Sequence, residues 1–146
     1  MVREAQEADV PRLAEILRLS PEAGSWEESD LRASITSDPA RQCFVAARGE
    51  RVLGFLLAAR PVREEAEILT LAVDPATRRQ GVGTSLLKAL LQGRPGRVFL
   101  EVRRSNLPAQ RFYGSLGFIT SGIRPGYYRS PEEDAVLMQL LYSQSF

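Results

Sequence analysis

Apolar side chains at Val10, Leu13, Ala14 and Leu17 recur with a helical period and predict a first helix. It opens near Asp9, a plausible cap, carries Pro11 in its first turn, and ends at Pro21 and Gly24. Leu31 and Ile35, four apart, mark a second short helix from about Glu27 to Ser37. The pattern then shortens. Gln42 to Ala47 and Arg51 to Arg60 read as two strands joined at Gly49-Glu50, a hairpin. A polar break, Pro61-Val62-Arg63-Glu64, precedes a strand from Ala66 to Val73, which Asp74-Pro75 stops because proline offers the ladder no donor.

A helical stripe of Val82, Leu86, Ala89 and Leu90 predicts a helix from Gly81 to Gln92, broken by Gly93 to Gly96. In the strand Val98 to Arg103, Val98, Leu100 and Val102 share one face; Phe99, Glu101 and Arg103 share the other. Asn106 can cap a fourth helix with Pro108 in its first turn and Ala109, Phe112, Tyr113 and Leu116 along one side. Gly117 suits the left-handed residue that ends such helices. Two last strands, Phe118 to Ile123 and Asp134 to Tyr142, enclose a loop with Gly126-Tyr127-Tyr128. The order β-α-α-β-β-β-α-β-α-β-β implies an α+β sandwich: a mixed, mostly antiparallel sheet of about seven strands with helices on both faces. No repeat or linker divides it, so one domain over 1–146 is expected.

Composition narrows the chemistry. Histidine is absent and Cys43 is the sole cysteine. A Ser-His-Asp triad, a Cys-His dyad and a His-ligated zinc are excluded, an intrachain disulfide is impossible, and no metal is expected. Acid–base work falls to Asp, Glu, Tyr, Cys or Lys. With 19 basic and 18 acidic residues, the charge gives no reason to expect general nucleic-acid binding. There is no signal-like apolar core after Met1 and no run long enough to span a membrane, so a reduced, cytoplasmic protein is expected.

The stretch Arg78-Arg79-Gln80-Gly81-Val82-Gly83 lies between a strand and a helix. Its glycines let an anion approach backbone N–H groups at the positive end of a helix dipole. A P-loop is ruled out because Thr84, not lysine, follows Gly83, and a Rossmann loop because Leu86 stands where its third glycine belongs. By itself the loop reads equally as a turn for tight strand–helix packing.

Two longer segments resemble the GNAT (GCN5-related) N-acetyltransferases. In LTLAVDPATRRQGVGTSLLKALL, Arg78, Gly81 and Gly83 meet the [RQ]-x-x-G-x-[GA] signature; LEVRRSNLPAQRFYGSLGF follows at the family's spacing. Within the superfamily, Trp26, those segments and GIRPGYYRSPEEDAVLM are similar to ribosomal-protein-alanine N-acetyltransferases. Two positions depart from that subgroup's usual pattern: Thr70, where Asn or another polar residue is common, and the lead Gly24-Ser25-Trp26. Both concern the acceptor pocket.

The resemblance implies the GNAT fold and acetyl-CoA as cosubstrate. It implies that Leu71, Ala72 and Val73 pair with the pantetheine arm like an added strand and supply an oxyanion N–H. Arg78, Arg79, Gln80, Gly81, Val82, Gly83 and Thr84 would hold the pyrophosphate. Asn106 is a cap by spacing and a pantetheine contact by resemblance. Glu101, near the C-terminal end of its strand, is the implied base for an amine of pKa about 8, set against a plain charge on a solvated strand face. Tyr113 is the implied acid for the leaving thiolate, compatible with packing in the core. Trp26, Thr70, Tyr127 and Tyr128 would line the acceptor pocket, although aromatics also anchor loops. The acidic run Glu132-Glu133-Asp134 reads either as a solvated turn or as an attractor of a basic peptide, and Cys43 as a small buried apolar residue. The expected activity is acetyl transfer to the N-terminal α-amine of a protein such as an alanine-starting ribosomal protein. A small-amine acceptor and a non-catalytic acyl-CoA-binding module stay open.

Overall fold

In a computed structural model, in which residues 1–141 are described, seven strands form one sheet in the order β1-β2-β3-β4-β5-β7-β6. The strands are β1 (Val2–Glu4), β2 (Arg41–Arg48), β3 (Arg51–Val62), β4 (Glu65–Val73), β5 (Arg97–Arg103), β6 (Ile119–Tyr128) and β7 (Glu133–Leu141). Every neighbouring pair is antiparallel except β4 with β5. The parallel pair β4–β5 is joined through the helix Val82–Gln92, the crossover that parallel neighbours require.

Helices α1 (Val10–Leu19) and α2 (Glu28–Thr36) cover one face of the sheet; α3 (Val82–Gln92) and α4 (Leu107–Ser115) cover the other. Two apolar layers result. Val10, Leu13, Ile16 and Leu31 pack against Val45, Phe55 and Leu57 on the first face. Leu86, Leu87 and Leu90 pack against Leu56, Val98 and Leu100 on the second. The alternation read along β5 holds: Val98 and Leu100 are buried beneath α3 and α4, and Glu101 emerges opposite.

Several boundaries move, each for a local reason. Asp9 does not cap α1. Its carboxylate accepts the Gln6 N–H at 2.8 Å and pairs with Arg3 at 2.8 Å, closing a 3₁₀ turn just before the helix. Pro61 and Val62 are not a break but the end of β3: the ladder is irregular between Ala59 and Val62, where a missing N–H costs little. The turn itself is only Arg63-Glu64. Gly126-Tyr127-Tyr128 belong to β6 rather than to a loop, since β6 is an edge strand that tolerates Pro125 and an irregularity between Arg124 and Tyr128. The last strand was expected to reach Tyr142, which lies outside the described residues.

Candidate active site

Strands β4 and β5 pair only from Glu65↔Arg97 to Ile68↔Leu100, and then diverge. The cause is on the other edge of β4. Leu57 of β3 faces Thr70 while Ala58 faces Ile68, so Leu69 is an extra residue, a β-bulge. Alternation reverses there: Ala66 and Ile68 face the α3 layer, Leu69 and Ala72 face the α1 layer, and Leu71 and Val73 return to α3. Beyond the bulge Leu71, Ala72 and Val73 bond β3 on one side and leave the other edge open to a cleft of about 1410 Å³. That exceeds the volume of an ordinary single-ligand pocket. An open strand edge is a template for an extended ligand.

The strand leads into the glycine loop. Asp74, buried, accepts the Ala76 N–H at 2.9 Å and pairs with Arg12 at 2.7 Å, which fixes the turn Pro75–Thr77. These bonds hold its carboxyl below the usual range, the backbone N–H first. Arg79 (φ 66°) and Gly81 (φ 79°) then take left-handed conformations, so the chain enters α3 with the N–H groups of Val82, Gly83 and Thr84 unpaired within the helix. A Cβ on Gly81 would meet nothing within 4 Å, so its conformation is what calls for glycine. A Cβ on Gly83 would come within 3.0 Å of Phe112 on α4, so Gly83 serves close packing. The two glycines thus serve different ends, Gly81 the turn and Gly83 the helix packing.

Arg78, Arg79, Gly81, Val82, Gly83 and Thr84 line the cleft. Gln80 does not: its side chain accepts from Arg48 at 3.0 Å. Arg78 is paired with Glu22 at 2.8 Å. Asn106 lines the cleft while its side-chain oxygen accepts the Ala109 N–H at 3.2 Å, which is capping. Tyr113, 6% exposed, stacks edge-on with Phe112 and Phe118, and burial raises its phenol above the ordinary value. It borders the cleft from the α3–α4 face.

Glu101 borders the same cleft from the opposite face. Its carboxylate meets Arg124 of β6 at 3.2 Å and is only 15% exposed. Tyr127 carries Arg124 over its ring at 5.0 Å and contacts Tyr128 edge-on. The Glu101 charge, with a hydrogen bond to it, raises the Tyr127 phenol; burial, then Glu101, pushes Tyr128 up to about 12. Trp26 is half-buried against the α1 layer and also lines the cleft, so loop anchor and pocket wall coincide. Thr70 is buried, and its hydroxyl donates to Ala23 O at 2.8 Å, pinning the turn Pro21–Ala23 to β4. Of the acidic run, Glu132 stays exposed in the turn, whereas Glu133 and Asp134 are paired. Glu133 takes Arg103 and the Ser105 N–H, and Asp134 takes Arg104 and the Gly126 N–H. Cys43 is buried and its thiol is pushed up to about 12, chiefly by desolvation, which leaves it inert.

Glu67 was missed. It shares the face of Glu101, level with Phe99 across the parallel pair, and burial and the Glu101 charge raise its carboxyl. Arg124 was missed too. Strand alternation places each residue on this face, but only the β4–β5, β5–β7 and β6–β7 pairings bring them together. Among the described residues no three His, Cys, Asp or Glu side chains gather as a metal site, and no helix is long and apolar enough to cross a membrane.

The model of the acetyltransferase (GNAT) family matches residues 10–118. The chain belongs to that family. It is 38% identical over 113 residues to the [ribosomal protein bS18]-alanine N-acetyltransferase of Escherichia coli, 66% of this chain and 76% of that protein. To the N-alpha-acetyltransferase RimI of Mycobacterium tuberculosis it is 35% identical over 137 residues, 90% and 86% of the two chains. An uncharacterized protein of Mycobacterium leprae is 41% identical over 102 residues, and the match covers 66% of this chain and 28% of that longer protein. The crystal structure of the E. coli S18-alanine N-acetyltransferase superposes with a TM-score of 0.84 at 28% identity, covering 100% of this chain and 97% of that one. This GNAT chain is thus close to the ribosomal-protein-alanine acetyltransferases, and its fold is that of an acetyl-CoA-using enzyme.

Proposed function

We propose that this GNAT enzyme acetylates the N-terminal α-amine of a protein, with an alanine-starting ribosomal protein as the implied acceptor, in the cytoplasm. The observation that carries the reading is the split between β4 and β5, which lets Glu101 and Tyr113 border one cleft from opposite faces of the sheet. The names of the E. coli and M. tuberculosis relatives support the acceptor class.

The residues fit acetyl-CoA. The unpaired edge of Leu71–Val73 suits an amide-bearing arm, and the α3 N-terminus with Arg78 and Arg79 suits a pyrophosphate. Asn106 keeps its side-chain NH₂ for the same arm, while Gln80, turned to Arg48, lies outside the cleft's lining. When bound, acetyl-CoA supplies an activated acyl group on a thioester. Glu101 takes a proton from the acceptor ammonium, directly or through water, after that ammonium replaces Arg124 beside it. A backbone N–H past the Leu69 bulge, on the strand edge that β5 leaves open, would hold the oxygen that gains charge. As the neutral amine formed its bond to the acyl carbon and the C–S bond broke, Tyr113 would give its proton to the departing sulfur. The second proton shed by the nitrogen would restore the phenol, which burial keeps in its protonated form. Trp26, Thr70, Tyr127 and Tyr128 shape the acceptor pocket.

Mass spectrometry of an alanine-starting peptide carrying an internal lysine, incubated with enzyme and acetyl-CoA, tests this. The acetyl group is expected on the α-amine. Modification of lysine alone, or turnover confined to small amines, would overturn the acceptor.

A further inference from the structure

Arg103 has no part in the chemistry above, yet it is among the most connected side chains near the cleft. One guanidinium nitrogen donates to Pro131 O at 3.1 Å and to Glu133 Oε1 at 3.3 Å. The other donates to Arg129 O at 3.2 Å. Its plane lies over the Tyr128 ring, 4.5 Å from the centroid. A planar fork that donates in two directions and stacks on an aromatic face is a task for arginine; a lysine ammonium fills only part of it.

Glu133 completes the arrangement. Its second carboxylate oxygen accepts the backbone N–H of Ser105, the residue before the cap of α4. Asp134 works in parallel: one oxygen accepts the Gly126 N–H at 2.9 Å, where the strand takes φ 61°, and the other meets Arg104 at 3.3 Å. The β6–β7 turn is thereby tied to the loop between β5 and α4. Tyr127 and Tyr128 stand on one side of this tie; α4, with Tyr113, starts on the other.

We infer that Arg103 is a positioning residue for the acceptor wall, using Glu133 to hold Tyr128 and the turn behind it at a fixed distance from α4. This rests on the reading that Tyr127 and Tyr128 line the acceptor pocket. It also accounts for Glu133 and Asp134, which the proposed chemistry leaves unused.

The test uses the full chain with Arg103→Ala, Arg103→Lys and Glu133→Gln, varying acetyl-CoA and the alanine-starting peptide separately. Arg103→Ala is expected to raise the acceptor KM about tenfold and leave the acetyl-CoA KM within about twofold, since small misplacements of a binding wall cost that much or more. Arg103→Lys should recover part of the loss, and Glu133→Gln should fall between. Hydrogen exchange read by mass spectrometry should quicken in 103–106 and 126–134 and stay unchanged in α3. Unchanged exchange in 126–134 would overturn the inference, as would both KM values rising together. A wild type that acetylates small amines but no peptide sinks the peptide reading alone; the same KM comparison on that amine, and the exchange data, still decide on Arg103.

Discussion

On the proposed cofactor side, the cleft takes most of its groups from one run of chain, Leu71 to Thr84, and most of them are backbone. On the proposed acceptor side it draws Trp26, Glu101, Tyr127 and Tyr128, all side chains, from three separate segments, with Arg124 paired to Glu101. The first side is held by an open strand edge, two left-handed residues and a helix end. The second is held by ion pairs and stacked rings, Arg124 on Glu101 and Arg103 on Tyr128 among them. A backbone site tolerates change in its side chains but not in its conformation. A side-chain site can be retuned one residue at a time.

The largest effect should come from the acceptor side. Glu101→Gln is expected to lower kcat roughly 100-fold or more, most strongly at low pH where a base is scarcest. Steady-state rates across pH check it; a uniform small loss would take Glu101 out of the base role. Tyr113→Phe should follow, slowing transfer about 10- to 100-fold with the melting temperature nearly unchanged. Single-turnover kinetics would show whether the loss lies in the acyl-transfer step, and an unaltered rate would leave Tyr113 a packing residue only.

The cofactor side should break differently. Gly81→Val places a β-branched residue at φ 79°, which costs on the order of 1–2 kcal/mol, or about tenfold in affinity for acetyl-CoA. Gly81→Asn should lose less, because asparagine tolerates that region. Calorimetry on both variants checks it: equal losses would mean that space, not conformation, requires the glycine.

The smallest effect concerns Glu67. Its folded-state value is raised above the ordinary 4.5, by burial first and the Glu101 charge second. A raised carboxyl favours folding below its unfolded value, and that contribution is lost as pH rises through the folded value. Glu67→Gln is therefore expected to raise the melting temperature by roughly 1–4 °C at about pH 7, with the gain fading near pH 4. A gain independent of pH would contradict the charge argument.

The same contrast decides what could be read from sequence. Gly81 and Gly83 stand two apart between a strand and a helix, so the turn they make follows from chain order; the helical stripes and the β5 alternation do as well. The Leu69 bulge did not show itself, because Ile68-Leu69-Thr70-Leu71 reads as continuous strand and only pairing with Leu57 and Ala58 reveals the extra residue. Gly126-Tyr127-Tyr128 read as loop because Pro125 and Gly126 are turn residues, while an edge strand and the Asp134 carboxylate make room for both. Glu133 and Asp134 read as exposed charge because their partners, Arg103, Arg104 and Ser105, lie about thirty residues away. Glu67 and Arg124 stayed hidden for the same reason: their meaning lies in which strands are neighbours.

The separateness of the two sides is tested most directly by the equilibrium affinity of Glu101→Gln for acetyl-CoA, measured beside its turnover. Affinity within about twofold of the wild type, with turnover down about 100-fold, is the expected result. Loss of affinity in step with turnover, or turnover retained, would contradict it.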